Sequence, residues 1–349
     1  MIKIPGKLDI RSMYRQELEE LLGSLGQPRF RAKQIFSWLH KAAVTDFAEM
    51  TDIPKSLRES LSEKCYIAGA EPVRRLESQL DETVKYLYRL HDGETVESVL
   101  MKYEHGYTVC ISTQVGCRMG CKFCASGLLG KKRDLSASEM LAQITAAAKD
   151  RNIRVSNVVM MGMGEPLDNF EQSVRFLRLV SDDDGLNIGL RHISLSTSGL
   201  APKIKELAEY RFPITLSVSL HAPNDELRKK IMPVAKAYPL SELMSACREY
   251  QRATTRRISF EYALMSGVND TDECAAQLAD ITRGIMSHIN LIPANPVREN
   301  DFEKPDRKKI LHFKQRLEEH GLNATVRRTL GADIEASCGQ LRRQEGKGV

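Results

Sequence analysis

Long hydrophobic runs are missing from this chain of 349 residues: no stretch approaches the roughly 20 consecutive apolar residues that a membrane-spanning helix needs. The opening segment, Met1-Ile2-Lys3-Ile4-Pro5-Gly6-Lys7, holds no apolar core of the kind that directs export. Both absences make the cytoplasm the expected location and leave no membrane among the expected partners. Aromatic residues are sparse at 6%, and Trp38 is the single tryptophan. No internal repeat or low-complexity tract is present. Cysteine is not scarce, with eight residues. A second C-x2-C pair is absent, however, and a four-ligand zinc site favours repeated pairs. Acid is missing from one segment: residues 116–133 carry Arg118, Lys122, Lys131, Lys132 and Arg133 but no Asp or Glu. A positive collar of this kind attracts phosphates, although the same run also suits a solvated loop.

Hydrophobic content of 42%, charged content of 28% and a net charge of +5 are those of an ordinary globular enzyme with a mild basic bias. The chain is organised around Gly116-Cys117-Arg118-Met119-Gly120-Cys121-Lys122-Phe123-Cys124. Four thiolates close a zinc or iron–sulfur site. Three thiolates on a four-iron cube leave one iron open to chelate a ligand, and C-x3-C-x2-C is the signature of the radical S-adenosylmethionine (SAM) enzymes. Cys117, Cys121 and Cys124 are therefore the candidate ligands of a [4Fe-4S] cluster, with SAM as the second cofactor.

Around this loop the apolar pattern changes twice. Residues 1–64 read as a small helical domain, with helices over Ser12–Gly23 and Arg29–Ala42 and two shorter ones between Asp46 and Leu61. Arg29, Arg31, Lys33 and Lys41 give the second helix a basic face suited to RNA or to plain solvation. Within 65–104, two alternating runs at 84–90 and 95–101 flank His91-Asp92-Gly93, the pattern of a hairpin linker. From 105 to 330 strands (107–113, 155–161, 191–197, 213–220, 256–264, 286–292, 323–329) alternate with helices (136–149, 169–181, 201–209, 224–231, 240–253, 271–283, 305–320). That alternation predicts a parallel α/β layout, and its count fits an open, partial (β/α)6 barrel rather than a full eight-fold one. A final segment, 331–349, carries Cys338 and ends in a polar tail expected to fray after Leu341.

Ligands of parallel α/β folds gather at the carboxyl ends of strands. Met161-Gly162-Met163-Gly164-Glu165-Pro166, Leu195-Ser196-Thr197-Ser198-Gly199, Ser219-Leu220-His221-Ala222-Pro223-Asn224-Asp225 and the run from Asn290 to Pro296 all fall at such ends. Each is ambiguous alone, but together with the cysteine loop they form a binding mouth. Cys110, on the strand before the loop, and Cys338, between small residues, could meet as a thiol pair. Cys110 also suits a buried apolar position and Cys338 an ordinary tail thiol.

These motifs closely resemble the bacterial dual-specificity 23S rRNA and tRNA adenine-C2 methyltransferases over nearly the whole chain. The likeness runs from Gln27-Pro28-Arg29-Phe30-Arg31, through Met161 to Asn169 and Ser219 to Asp225, to Cys338-Gly339-Gln340-Leu341. The resemblance implies SAM contacts at Gly164, Glu165, Ser196, Ser219, Leu220, His221 and Asn295. It further implies a methyl carrier in Cys338, a resolving thiol in Cys110, a proton acceptor in Glu97 and an RNA-binding N-terminal domain. In the family's scheme Cys338 takes a methyl group from one SAM and a second SAM yields a 5′-deoxyadenosyl radical that activates it. The carbon radical adds to the ring, Glu97 removes the ring proton and Cys110 attacks the sulfur. Expected partners are 23S rRNA, tRNA and an electron donor such as flavodoxin or ferredoxin; the expected state is a monomer. Ser337 stands where alanine is common, and Ala125-Ser126-Gly127 lacks the usual threonine, without loss of a functional group. The alternative is the relative that methylates carbon 8 of the rRNA adenosine and confers antibiotic resistance; Pro166 resembles the carbon-2 enzymes. Glycyl-radical activases lack the Cys110 and Cys338 pair, and a zinc-dependent RNA-binding protein would not need SAM.

Overall fold

The computed structural model describes residues 6–128, 130–295 and 301–341. The tail expected to fray, 342–349, lies outside the described residues. The N-terminal unit is helical, as the spacing requires: α1 (Arg15–Ser24) buries Leu18 and Leu22, α2 (Phe30–His40) buries Ile35, Phe36 and Leu39, and α3 (Lys55–Lys64) buries Leu57 and Leu61. Each set recurs at helical spacing, and Pro54 sets the start of α3. A two-residue parallel pair, β1 (Leu8–Asp9) with β2 (Cys65–Tyr66), brings the two ends of this unit together.

The hairpin forms where Asp92-Gly93 predicts it, between β4 (Val84–Arg89) and β5 (Thr95–Tyr103), with β3 (Glu71–Glu77) on its outer edge. Its strands are part of the main sheet, because β5 also pairs with β6 (Gly106–Cys110), with Val99 opposite Cys110. β7 (Gln114–Val115) and β8 (Arg133–Asp134) pinch the base of the cysteine loop. The parallel part follows: β9 (Val155–Met160), β10 (Ile193–Thr197), β11 (Thr215–Ser219), β12 (Ile258–Leu264), β13 (Ser287–Pro293) and β14 (Ala324–Val326). The connecting helices are α4 (Ala137–Arg151), α5 (Phe170–Val180), α6 (Ala201–Glu209), α7 (Asp225–Ile231), α8 (Leu240–Thr254), α9 (Asp272–Thr282) and α10 (Arg307–Glu319). Six strands, β6 and β9 to β13, are each followed by a helix, so the expected six-unit partial barrel is present.

The ten strands run in the order β14-β13-β12-β11-β10-β9-β6-β5-β4-β3. The barrel strands carry buried apolar runs, such as Leu216 and Val218 at 0% exposure, because helices cover them. A smaller apolar cluster, Ala222, Ile231, Met232, Val234, Ala263, Met265 and Ala294, packs against Met119, Cys121 and Phe123 of the cysteine loop. Among the described residues no helix is long and apolar enough to cross a membrane.

Candidate active site

A cavity of about 160 Å³ opens at the carboxyl ends of the parallel strands. Cys117, Cys121 and Cys124 line it from the loop after β6, Gly164 and Glu165 from the loop after β9, and Ser196 from β10. Ser219 and His221 come from the end of β11, Asn295 follows β13, and Cys338 comes from the C-terminal segment. Of the expected cofactor positions only Leu220 turns its side chain away, into the core at 0% exposure; its N–H donates to the Glu261 carbonyl at 3.0 Å.

The loop is held by backbone shape and by one carboxylate. Gly116 has φ +76°, and a Cβ added there would collide with the Gly130 carbonyl. Asp168, just beyond the Gly-Met-Gly-Glu-Pro turn, accepts from Gln114 Nε2 at 2.9 Å, from Lys131 Nζ at 2.9 Å and from Arg118. Burial pushes Asp168 up, but these three bonds outweigh it and hold its pKa below the usual carboxylate value. Lys131 also reaches Asp134 at 2.8 Å, Lys132 faces Glu94 at 3.6 Å, and Arg133 grips Asp92 and Glu139. The expected positive collar is therefore largely neutralised by acids from other segments, leaving Lys122 exposed. The basic face of α2 is treated likewise: Arg29 pairs with Glu19 and Lys33 with Asp184, while Arg31 lies over the Phe30 ring and donates to the Asp52 carbonyl.

The three loop thiols open on one cavity without being gathered around one point; no trio of His, Cys, Asp or Glu among the described residues could hold a single metal ion. Burial pushes Cys117 up to about 12 and raises Cys121 and Cys124 as well. Such thiols ionise when a strong positive centre arrives. Three sulfur donors from one short loop fit a cube with one open corner.

Gly164 lets the next loop approach: it has φ +105°, and a Cβ would stand 2.7 Å from the Gln114 side chain. Glu165 follows, buried, with its carboxylate accepting from the Leu167 N–H at 3.0 Å and the Ser198 N–H at 2.6 Å. Burial raises its pKa against the pull of these bonds. Its remaining acceptor capacity faces the cavity and suits an ammonium group. His221 takes a left-handed backbone, φ +54°, and its Nδ1 accepts from the Ala263 N–H at 2.8 Å. Burial and then Arg228 lower its pKa to about 3, so the ring is neutral and sits edge-on to Phe123 with centroids 4.7 Å apart.

A second cavity of about 40 Å³ adjoins the first. Cys110, Val99 and Met101 line it, and Met161, Ile292, Asn295, Arg327 and Cys338 belong to both walls. The Cys338 segment is bolted to the end of β13 and to the cysteine loop: Asn295 Nδ2 donates to the Cys338 carbonyl at 3.0 Å, the Ala125 N–H to the Gly339 carbonyl at 2.7 Å and Ser126 Oγ to the Leu341 carbonyl at 2.6 Å. Burial, helped by the charge of Cys338, pushes Cys110 up to about 12. Glu97 lines neither cavity. It lies buried on β5, two residues before Val99 and on the same face, with Oε1 3.3 Å from Lys85 Nζ.

Two wall residues, and Lys85 beside Glu97, escaped the sequence reading. Arg327 follows β14 and is raised in pKa chiefly by Cys338. Glu261 on β12 lines the first cavity and accepts from Ser259 Oγ at 2.8 Å and Asn290 Nδ2 at 2.7 Å. Lys85 sits on β4. Polar residues alternating along a barrel strand, Ser259 and Glu261, were the available signal for the second; the other two carried none.

Comparison with known proteins agrees with this fold. Residues 111–279 match the Radical SAM superfamily, and residues 8–67 match the Ribosomal RNA large subunit methyltransferase N-terminal domain. The chain is 52% identical over 338 residues to a probable dual-specificity RNA methyltransferase RlmN of Alkaliphilus oremlandii, covering 97% of this chain and 98% of that protein. It is likewise 52% identical over 327 residues to a protein of the same name from Clostridium novyi, covering 94% and 95%. A crystal structure of a radical SAM methyltransferase from Sphaerobacter thermophilus superposes with a TM-score of 0.92 at 45% identity, covering 96% of this chain and 99% of that one.

Proposed function

The chain belongs to the RlmN family of radical SAM RNA methyltransferases, and from that premise we propose that it methylates carbon 2 of adenosine in 23S rRNA, at the peptidyl transferase centre, and in tRNA, at the adenosine 3′ of the anticodon. The observation that carries this reading is Cys338, which stands in the wall shared by two cavities. One holds the cluster cysteines and the SAM positions; the other holds Cys110. A sulfur at that boundary can receive a methyl group from one side and present it to a base on the other.

The enzyme uses a [4Fe-4S] cluster and SAM. Cys117, Cys121 and Cys124 would hold the cluster, which supplies the electron that cleaves SAM. The chain's own residues account for the remaining work. Glu165 takes the ammonium of SAM, and Ser196, Ser219 and Asn295 supply polar contacts along the same wall. Cys338 acts as a thiolate nucleophile on the methyl sulfonium: a sulfur–carbon bond forms, the sulfonium bond breaks and S-adenosylhomocysteine leaves. Once the Cys338 methyl carbon has given a hydrogen atom to the radical from a second SAM and bonded to ring carbon 2, and one electron has returned from the ring to its source, Glu97 would accept the proton from that carbon. Cys110 then attacks the Cys338 sulfur, releasing the methylated base and leaving a disulfide for cellular thiols to reduce. The adenosine must be unstacked to reach the second cavity, which favours loop substrates. A flavodoxin or ferredoxin in the cytoplasm is the fitting one-electron partner, and a monomer suffices because one chain supplies every group named.

The test is nucleoside mass spectrometry of rRNA and tRNA incubated anaerobically with protein, SAM and a reductant. 2-Methyladenosine is the expected product; 8-methyladenosine, or no methylated adenosine, would reject the reading.

A further inference from the structure

Lys85 is buried to 7% exposure on β4, an unusual place for a lysine, and the strand register explains where its side chain goes. Lys85 lies opposite Val99, and Val99 lies opposite Cys110. Paired residues share a face, so Lys85, Val99 and Cys110 form a row across three strands, on the side where Val99 and Cys110 line the second cavity. Glu97 is the next residue along β5 on that face. Lys85 Nζ reaches it diagonally, 3.3 Å from Oε1. The same nitrogen donates to the main-chain carbonyl of Glu335 at 3.0 Å. Glu335 is three residues before Cys338 and takes a left-handed conformation, φ +50°. One ammonium group thus spans the strand that bears the proton acceptor and the segment that bears the methyl carrier.

We propose that Lys85 is a positioning residue of the methyl-transfer reaction: it orients the Glu97 carboxylate and fastens the Cys338 segment, so that the base and the methyl-bearing sulfur keep register. The inference rests on the reading of Glu97 as the proton acceptor. A buried ion pair is an unpromising device for stability alone, since well-packed apolar residues of similar size hold a core as well or better. This pair sits instead beside a reaction cavity, and its lysine also hydrogen-bonds a loop that must present a sulfur. During the proton step the ring carbon–hydrogen bond breaks, the proton goes to a Glu97 oxygen and the electron pair stays on the ring. Lys85 forms and breaks no covalent bond in this step. Its contact with Glu97 weakens as that carboxylate is neutralised, while the bond to Glu335 continues to hold the cysteine segment.

The experiment compares Lys85→Met, Lys85→Arg and Glu97→Gln with the unaltered protein, each purified anaerobically and supplied with SAM, reductant and a short RNA hairpin. Two steps are read separately: S-methylation of Cys338 by peptide mass spectrometry, and the RNA–protein adduct on a denaturing gel. Lys85→Met is expected to methylate Cys338, accumulate the adduct as Glu97→Gln does, and turn over about 100-fold more slowly, the lower range for loss of a general base. Lys85→Arg, which keeps a cation able to donate twice, should recover most of that loss. If Glu97→Gln resolves its adduct normally, the reading of Glu97 falls, and the role of Lys85 with it. If Glu97→Gln traps the adduct and Lys85→Met does not, Glu97 stands and the Lys85 proposal is overturned. Loss of Cys338 methylation in both Lys85 variants would make the lysine a structural strut and would also overturn it.

Discussion

Replacing Asp168 with Asn tests whether one buried carboxylate secures the cysteine loop. Asp168 is 4% exposed and binds three donors from three places: Gln114 before the loop, Arg118 within it and Lys131 after it. Arg118 is 64% exposed, so solvent screens its share to a few tenths of a kcal/mol. Lys131 is 17% exposed and Gln114 is buried, and hydrogen bonds to an ionised group contribute about 1.5–3 kcal/mol each. Asparagine keeps one acceptor oxygen and loses the charge, leaving Lys131 with Asp134 as its carboxylate partner. A net loss of about 3 kcal/mol follows. For a chain of this length that lowers Tm by about 4 °C, read by thermal denaturation of the cluster-free protein. The same change should reduce iron bound per chain after reconstitution, because the loop pays the entropy of ordering its three thiols without its clamp. The pKa of Asp168 is depressed, so its stabilisation is complete above the ordinary carboxylate value of about 3.9 and is lost as pH falls through the lower folded value. The gap between the two proteins must therefore be constant from pH 6 to 8. An unchanged Tm together with full iron loading would refute the argument.

Other perturbations have equally definite outcomes. Gly164→Ala places a Cβ 2.7 Å from the Gln114 side chain at φ +105°, and should cost about 2–4 kcal/mol, seen as a lower denaturant midpoint with SAM binding lost in equilibrium dialysis. His40 and His221 are both lowered to about 3 by burial, with Arg11 and Arg228 as the secondary causes. Their neutral forms favour folding above the unfolded value near 6.5, and that contribution is lost as pH falls below it; the pair should remove about 4 kcal/mol of stability between pH 7.5 and 5. His40→Leu should cut this slope by half, and a flat pH profile in the unaltered protein would reject both assignments. Cys110→Ala should trap an RNA adduct through Cys338, visible on a denaturing gel; a gel without that band would remove Cys110 from the resolving role.

Local signals in the chain survived folding well. The barrel strands were legible because each is a short apolar run closed by a Gly, Pro or Asn turn. Their observed bounds, such as Thr215–Ser219 against an expected 213–220, differ only at the frayed ends. The last strand is shorter than expected, Ala324–Val326 against 323–329; Arg327 just beyond it still donates its N–H to the Leu291 carbonyl at 2.8 Å while lining the two cavities. That Cys117, Cys121 and Cys124 would share one cavity was legible for the same reason as the strands: their spacing is contained in eight residues. The hairpin was legible from Asp92-Gly93, but its continuity with the barrel was not. Nothing local says that β5 will find β6 on its far side.

Charge was where reading along the chain misled, and the cause is distance in sequence. Residues 116–133 contain no acid, yet four of their five basic side chains are ion-paired in the folded protein, to Asp168, Asp134, Glu94, Asp92 and Glu139. Two of those acids precede the segment by more than twenty residues, and Asp168 follows it by more than thirty. The basic face of α2 is likewise answered by Glu19 and Asp184. A run of one sign therefore reports what the segment must find elsewhere as much as what it offers to a ligand. The same reasoning isolates the groups that matter at the cavities. Arg327 carries its charge toward Cys338, and Lys85 carries its own toward Glu97 and the segment before Cys338. These cations are turned inward, toward the atoms assigned to the chemistry. The collar serves to hold the loop in place, and the attraction of RNA falls to the side chains that the fold leaves uncommitted.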